Sequence, residues 1–223
     1  MKTIAHIKTD FPDKFGIPRQ SSRAYELKGT ITFEPEFRNA EAVKGLDGFD
    51  YIWLLWKFDV PEKEGFTATV RPPRLGGNVR MGVFATRSPF RPNPIGLSCV
   101  HLDAIEYTDK GPVLTVSGVD LMDNTEIYDI KPYLPSYDSH PEAKEGFTKD
   151  SIDYKLEVSF PEELLNKFPE EKRTGILAVL RDDPRPSYHD DPDRIYGVSF
   201  AGFDVHFTVK DSLLTVTDVV KVS

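Results

Sequence analysis

The sequence has little cysteine and no long apolar run. Its 223 residues include one cysteine, Cys99, which excludes an internal disulfide and a cysteine-based zinc site. No apolar run approaches the roughly 18 residues that predict a membrane-spanning helix. The first residues, MKTIAHIKTDFPDKF, lack the apolar core of a signal peptide. These absences predict a cytoplasmic protein with no membrane partner.

One stretch of the chain also lacks acidic residues. No aspartate or glutamate occurs between Gly65 and Leu102, although the chain has 36 of them and a net charge of −8. The basic residues of this stretch are all arginines: Arg71, Arg74, Arg80, Arg87 and Arg91. Arginine makes planar, bidentate contacts with phosphate and stacks on bases better than lysine does. The stretch therefore predicts a local surface for a nucleotide-like cofactor, a nucleic acid or both, whereas the acidic balance argues against indiscriminate nucleic-acid binding.

The pattern of apolar and turn-forming residues predicts a mainly β fold in the first part of the chain. About seven strands are expected in residues 1–138, including the near-continuous apolar run Asp50–Val60 and the segment Val79–Ala85. One helix is expected at Asn39–Leu46, because an asparagine can cap its start and a glycine can end it. Many strands joined by Gly/Pro turns are typical of a small closed barrel.

The rest of the chain has a different composition. Residues 139–150 are polar and fit a linker between domains. Residues 151–223 contain a predicted helical stretch that opens at Pro161 and is interrupted at Pro169, and three predicted strands follow it. We therefore expect a small α+β domain after the barrel.

One string within the arginine-rich stretch resembles a family signature. Residues Gly82–Ser98 read GVFATRSPFRPNPIGLS, and this string is similar to the signature of the TsaA-like β-barrel family, the tRNA (adenine-N6)-methyltransferases of the TrmO type. Five further blocks match the family in the same order: PRQSS at Pro18–Ser22, GLDGFDYIWLLWKFD at Gly45–Asp59, RPPRLGGNVRMG at Arg71–Gly82, DLMDNTEIYDIKPYLP at Asp120–Pro135 and DPRPSY at Asp183–Tyr188. The absence of a GxGxxG run after a strand fits such a barrel rather than a Rossmann-like methyltransferase.

The resemblance implies a reaction, a cofactor and partners. It implies that the protein uses S-adenosylmethionine to methylate N6 of threonylcarbamoyladenosine at position 37, beside the tRNA anticodon. The expected partners are the anticodon stem-loop of tRNA and a second copy of the chain, with the cofactor near the dimer interface, and no DNA. By resemblance, the cofactor-binding residues are Arg19, Gln20, Ser21, Phe58, Asp59, Arg87, Leu97, Asp120, Leu121, Met122 and Asp123. The catalytic residues implied in the same way are Arg87, Arg91, Asn93, Asp183, Arg185 and Tyr188.

The arginines suit the chemistry of that reaction. The acceptor is a ureido nitrogen, which is a poor nucleophile while protonated, so a positive field that favours its deprotonated form would help. Arg87 and Arg91 supply such a field, and the prolines on both sides of Asn93 stiffen the loop that presents them. The arginines within residues 71–80 flank two glycines, a pattern that suits a mobile arm toward the RNA backbone.

Two other functions are compatible with the sequence. A barrel of this kind can bind S-adenosylmethionine or a nucleotide without transferring a methyl group, or it can methylate a different acceptor. The DPRPSY block favours the tRNA hypothesis, because a barrel that only binds the cofactor would not need it. The five histidines are scattered without metal-ligand spacing, so no metal site is predicted.

Overall fold

The computed structural model describes residues 1–59, 66–72, 75, 78–151, 155–185 and 191–222. Its strands, in chain order, are β1 (Ala5–Lys8), β2 (Lys28–Phe33), β3 (Tyr51–Lys57), β4 (Thr69–Val70), β5 (Met81–Gly82), β6 (Ile95–Thr108), β7 (Gly111–Ser117), β8 (Thr125–Pro132), β9 (Glu157–Ser159), β10 (Tyr196–Phe200), β11 (Phe203–Lys210) and β12 (Leu213–Lys221). Its α-helices are α1 (Pro135–Asp138), α2 (Glu162–Leu165) and α3 (Glu170–Arg181).

Six strands close into a barrel in the order β1-β2-β7-β6-β3-β8, and every neighbouring pair is antiparallel. Alternate side chains of a strand face the interior, and in β3 these are Ile52, Leu54 and Trp56. The closed barrel predicted from the sequence is confirmed, with six strands instead of about seven. The predicted strand Val79–Ala85 forms only β5 and a 3-10 turn, because β5 pairs with β4 in a separate ribbon outside the barrel.

The predicted helix at Asn39–Leu46 is instead a pair of 3-10 turns, Ala40–Val43 and Leu46–Gly48. Asn39 caps the first turn, since its side-chain oxygen accepts a hydrogen bond from the backbone N–H two residues later at 3.0 Å. Gly45 adopts a left-handed φ of 81°, a conformation that glycine reaches without strain. The cap and the stop residue act as predicted, but the five residues between them are too few for a regular α-helix.

The last part of the chain forms a four-stranded sheet in the order β10-β11-β12-β9, in which β9 is parallel to β12 and the other pairs are antiparallel. As predicted, Pro169 interrupts the helical stretch, with α2 before it and α3 after it. One face of α3 buries Ile176, Val179 and Leu180, at the spacing of a helix that covers a core. Among the described helices, none has the length and apolar character needed to cross a membrane.

Residues 10–27, which we call the 10–27 segment, connect β1 to β2 and pack against the C-terminal sheet. The rings of Phe11 and Phe200 lie 5.4 Å apart. Gly16 has a φ of 84°, and a Cβ added there would lie 2.3 Å from a methyl carbon of Val198. The segment therefore has no room for a side chain at this point.

Two ion pairs and several hydrogen bonds hold the same segment in place. Lys172 Nζ lies 2.7 Å from Asp10 Oδ2, and Arg23 donates from Nε and Nη2 to Asp182 Oδ1 at 2.7 and 2.5 Å. On the barrel side, the backbone N–H and the hydroxyl of Ser22 donate to carbonyls of the barrel at 2.8 and 2.9 Å. The 10–27 segment thus joins the barrel to the C-terminal sheet and α3.

Candidate active site

A pocket of about 1140 Å³ opens at one end of the barrel. At this end β3 stops, β6 starts and β7 leads into β8, so strand register brings their residues together. The barrel contributes Trp56, Phe58, Asp59, Ile95, Gly96, Leu97, Asp120, Met122 and Thr125, the 10–27 segment contributes Pro12, Asp13, Lys14, Ile17, Pro18, Arg19 and Gln20, and the turn before β6 contributes Thr86, Arg87, Pro89, Phe90, Arg91 and Asn93.

A hydrogen-bond chain leads from the barrel interior to the pocket. The indole Nε1–H of Trp56 donates to Ser98 Oγ at 2.9 Å, and the Ser98 hydroxyl donates to Asp120 Oδ1 at 2.5 Å. Trp56 and Ser98 are 8% and 0% exposed, so water cannot replace either partner. The Ser98 hydroxyl has a single proton, and it accepts rather than donates in its bond with Trp56. That proton is therefore available for the bond to Asp120.

Burial raises the pKa of Asp120 to about 6. The hydrogen bond from Ser98, the backbone N–H groups of Ser21 and Asp120, and the positive charge of Arg87 oppose this rise, because each favours the ionised carboxylate. Near neutral pH the group is therefore mostly ionised but poorly hydrated. A carboxylate in such surroundings attracts a cationic group more strongly than one in water does.

Residues Thr86–Asn93, which we call the arginine loop, form another wall of the pocket. Arg87 donates from Nη1 to Gln20 Oε1, so residues predicted from two separate sequence blocks meet directly. Arg91 donates from Nη1 to a backbone carbonyl of the same loop at 3.3 Å, and Asn93 faces the cavity. The loop presents two guanidinium groups and one amide to the pocket.

Aromatic and aliphatic side chains give the pocket an apolar surface. The rings of Trp56 and Phe58 lie 4.3 Å apart. Trp56 pairs across the strands with Gly96, and a Cβ at Gly96 would lie only 2.2 Å from the indole. Leu97 is 49% exposed and also lines the pocket. Surfaces of this kind, with a few convergent polar groups, are typical of cofactor sites.

Three of the predicted cofactor residues support the pocket without lining it. The side chain of Leu121 is fully buried in the core. Asp123 Oδ1 accepts a hydrogen bond from the backbone N–H of Thr9 at 2.9 Å, and Ser21 Oγ accepts one from a backbone N–H of β6 at 3.0 Å. Met122, from the same block as Leu121 and Asp123, lines the cavity.

Asp183 and Arg185, two of the catalytic residues predicted in the DPRPSY block, do not line this pocket. Arg185 donates from Nε and Nη2 to the two carboxylate oxygens of Asp183 at 2.8 and 2.9 Å, and the side chains are 9% and 12% exposed. The guanidinium of Arg185 also lies over the ring of Tyr196. This pair shapes the start of the loop after α3, and Tyr188 lies outside the described residues.

Two residues of the hydrogen-bond chain that leads to the pocket had no site role predicted from the sequence. Ser98 ends the GVFATRSPFRPNPIGLS block, and Trp56 lies within the apolar run Asp50–Val60. The signal lies in strand pairing, because Trp56 opposes Gly96 and Ser98 faces the same side two residues later. A glycine within a strand often marks such a close approach.

The pocket residues fit the chemical groups of S-adenosylmethionine. That molecule has a sulfonium and an amino group for a carboxylate such as Asp120, a carboxylate for a guanidinium such as Arg87, and an adenine for the aromatic surface. Within the part of the chain that the structure describes, no group of three or more His, Cys, Asp or Glu side chains is arranged to hold a metal ion.

Comparison with known proteins gives matches over nearly the whole chain. Residues 6–139 match the model of the tRNA-methyltransferase O N-terminal domain, and residues 153–222 match that of the TrmO C-terminal domain. The tRNA (adenine(37)-N6)-methyltransferase of Escherichia coli (strain K12) is 38% identical over 217 residues, covering 94% of this chain and 92% of that protein. A Pseudomonas aeruginosa protein named putative S-adenosylmethionine-dependent methyltransferase RcsF is 38% identical over 225 residues, with 97% and 95% covered.

Solved structures lead to the same family. A crystal structure of TrmO from Pseudomonas aeruginosa superimposes with a TM-score of 0.79 at 33% identity, covering 98% of this chain and 95% of that one. The resemblance stated for GVFATRSPFRPNPIGLS and its five companion blocks is confirmed by these matches. The chain belongs to the tRNA-methyltransferase O family.

Proposed function

We propose that the protein transfers a methyl group from S-adenosylmethionine to N6 of threonylcarbamoyladenosine at position 37 of tRNA. The observation that carries this proposal is the pocket in which Asp120, Arg87 and the Trp56–Phe58 ring pair meet. Relatives named as an adenine(37)-N6 tRNA methyltransferase and as a putative S-adenosylmethionine-dependent methyltransferase support the acceptor position and the cofactor. The threonylcarbamoyl group is the finer part of the proposal and rests on the sequence resemblance.

Different pocket residues suit different chemical groups of the cofactor. The Asp120 carboxylate suits its cationic amino or sulfonium group, and Arg87 suits its carboxylate. The rings of Trp56 and Phe58, with Leu97, suit its adenine. When bound, the cofactor supplies an electrophilic methyl group on a sulfonium sulfur. The protein holds that group and the acceptor nitrogen in line, and such positioning can supply much of the rate.

The arginine loop acts on the acceptor nitrogen. Arg87 and Arg91 create a positive field in which a ureido N–H loses its proton more readily, and the anionic nitrogen is the better nucleophile. No acidic residue occurs between Gly65 and Leu102, so no carboxylate of this stretch weakens that field.

The working form of the protein in this proposal is a cytoplasmic homodimer. On the outer face of β3, Tyr51 and Trp53 pack their rings against Tyr133 at 6.2 and 5.7 Å. Tyr25 and Tyr137 are 48% and 77% exposed, and Tyr25 bonds to Tyr51 through their hydroxyls at 3.1 Å. Exposed aromatic clusters of this kind are typical of protein interfaces. Sedimentation velocity should give the mass of a dimer, and a monomer at micromolar concentration would contradict this part.

In a dimer, the DPRPSY block can contribute to the pocket of the second copy. Asp183 and Arg185 do not line the pocket of their own chain, so the loop that they begin is proposed to close over the pocket of the second copy. Mixing an Arg87→Ala chain with a chain that carries Tyr188→Ala tests this, because every heterodimer would hold one intact pocket out of two and regain activity.

Nucleoside mass spectrometry tests the reaction directly. The protein is incubated with S-adenosylmethionine and tRNA that carries threonylcarbamoyladenosine, and the modified nucleoside should become heavier by one methyl group. An Arg87→Ala variant serves as the inactive control. A matched transcript with unmodified adenosine 37 tests the acceptor separately. Its methylation would contradict the need for the threonylcarbamoyl group but not methyl transfer to position 37. Binding of S-adenosylhomocysteine in calorimetry without methyl transfer to either RNA would favour a binding module.

A further inference from the structure

We propose that Phe66 and Phe84 form a stacking platform for an unpaired nucleobase of RNA, carried by the ribbon of β4 and β5. The inference rests on the function proposed above, because that function supplies RNA as the partner. It adds a contact surface outside the pocket, since neither phenylalanine lines the cavity.

The two side chains are exposed and are ordered against each other. Phe66 and Phe84 are 61% and 72% exposed. Their ring centroids lie 6.0 Å apart with an angle of 22° between the planes, which is a stacked arrangement. Single exposed apolar residues are ordinary, but two large rings that form one exposed surface mark an interaction site.

The pairing of the ribbon determines where this platform lies. Thr69 of β4 pairs with Gly82 of β5, and the backbone N–H next to Gly82 donates to a carbonyl before β4 at 2.9 Å. This pairing places Phe66, just before β4, next to Phe84, just after β5. Arg87 of the pocket follows Phe84 by three residues, which span at most about 10 Å. The platform therefore lies within about 10 Å, along the chain, of a residue that lines the pocket.

The charge of the ribbon indicates which partner the platform takes. Arg71 and Arg80 are both exposed, and no acidic residue occurs between Gly65 and Leu102 although the whole chain carries a net charge of −8. The ribbon is thus complementary to a polyanion. Proteins hold single-stranded nucleic acid by combining such basic surfaces with aromatic rings on which bases stack. Unstacked bases of RNA loops are the usual target of this contact, so the proposed occupant is a base of the anticodon loop.

Measured affinity for an anticodon stem-loop RNA tests the platform. A variant with Phe66→Ala and Phe84→Ala should bind this RNA about tenfold more weakly in fluorescence anisotropy. Its affinity for S-adenosylhomocysteine in calorimetry should not change. Leucine at both positions should also weaken RNA binding, because it keeps apolar area but has no aromatic face. Tyrosine at both positions should retain RNA binding. Tyr107→Ala is the matched control, since Tyr107 is an exposed aromatic residue near the far end of β6.

Salt dependence separates stacking from charge attraction. The slope of log Kd against log salt should be the same for the alanine variant as for the wild type, because no phosphate contact is lost. Arg71→Gln and Arg80→Gln should each reduce that slope by up to about 1, since each removes one phosphate contact.

Unchanged RNA affinity in the double alanine variant, or in the double leucine variant, overturns the platform. A smaller assembly of the alanine variant in sedimentation velocity also overturns it, because the rings would then join two copies of the chain. Either result leaves the proposed reaction standing, since methylation of tRNA by the wild type is measured separately. Conversely, weaker RNA binding by the variant with no methylation by the wild type would keep the platform and contradict the reaction.

Discussion

Two of the three walls of the pocket are built in different ways. The barrel wall holds Trp56, Gly96, Ser98 and Asp120, and strand register brings the first three together because Trp56 pairs with Gly96. The segment wall is formed by residues 12–20, which belong to no strand or helix. Regular hydrogen bonding sets the shape of the first wall, whereas the second takes its shape from what packs behind it.

Both ion pairs that support the segment wall come from the other end of the chain. The ion pair of Asp10 with Lys172 joins residues 162 positions apart, and that of Arg23 with Asp182 joins residues 159 positions apart. The barrel wall therefore supplies the Asp120 carboxylate and the hydrogen-bond chain that leads to it, and the C-terminal sheet and α3 shape the segment wall from outside. Changes in the barrel wall should act on cofactor affinity and its pH dependence, and changes behind the segment wall should act on affinity and stability together.

The largest effect is expected from the carboxylate of the barrel wall. Asp120→Asn removes the negative charge but keeps the size of the side chain and an acceptor for Ser98. Losing one partner of a desolvated charge pair costs about 2–5 kcal/mol, so affinity for S-adenosylmethionine should fall by about a hundredfold in calorimetry near pH 7.5.

The same variant should be at least as stable as the wild type. Burial raises the pKa of Asp120 to about 6 from a usual 3.8. In the pH window between these two values, the native state therefore keeps a proton that the unfolded chain has already lost. Stability of the wild type therefore falls as the pH rises through the window. Asparagine does not ionise, so the variant lacks this fall, and its melting temperature near pH 7.5 should match or exceed that of the wild type. A lower melting temperature would show that the affinity was lost through misfolding.

The next largest effect is expected behind the segment wall. Arg23→Ala leaves Asp182 without its ion pair, whose side chains are only 17% and 12% exposed. We expect a loss of about 2 kcal/mol in denaturant unfolding and about tenfold weaker cofactor binding, although Arg23 does not line the pocket. Lys2→Ala, which breaks an exposed pair with Glu36, is the matched control and should change neither quantity. Unchanged cofactor affinity in Arg23→Ala would mean that the C-terminal unit does not shape the pocket.

The barrel wall and the arginine loop were easier to predict from the sequence than the supports of the segment wall. Arg87, Asn93 and Leu97 belong to one turn and the strand that follows it, so a local string of residues was enough to place them at one site. The partner of Arg23 lies 159 positions away, and no local pattern indicates it. The DPRPSY block shows a different limit, because the resemblance implied catalytic roles for Asp183 and Arg185, whereas their side chains pair with each other.

A smaller effect is expected inside the barrel wall from Ser98→Ala. The hydrogen bond from Ser98 lowers the pKa of Asp120, so its loss should raise that pKa further and leave more of the carboxylate protonated near pH 7. Cofactor affinity should fall by about fivefold near pH 7 and recover toward the wild-type value at about pH 8.5, where the carboxylate ionises. Calorimetry across this range measures the profile.

Ser117→Ala is the matched control for that variant. Ser117 is also a buried strand serine, 5% exposed, and its hydroxyl donates to the carboxylate of Asp103, outside the pocket. Its loss should leave the pH profile of cofactor binding unchanged. If the profile of Ser98→Ala equals that of the wild type, the chain from Trp56 to Asp120 does not control the charge of the pocket.

The smallest effect is expected from Lys172→Met, which breaks the other ion pair behind the segment wall. Its side chains are 34% and 19% exposed, and pairs this accessible contribute about 0.2–1 kcal/mol. Asp10 also has a second anchor, since its backbone carbonyl accepts a hydrogen bond from Ala201 at 2.9 Å. We expect less than about 1 kcal/mol of lost stability and about twofold weaker cofactor binding, both smaller at high salt because of screening. If Lys172→Met and Arg23→Ala reduced stability and cofactor affinity equally, the Arg23–Asp182 pair would not be the main support of the segment wall.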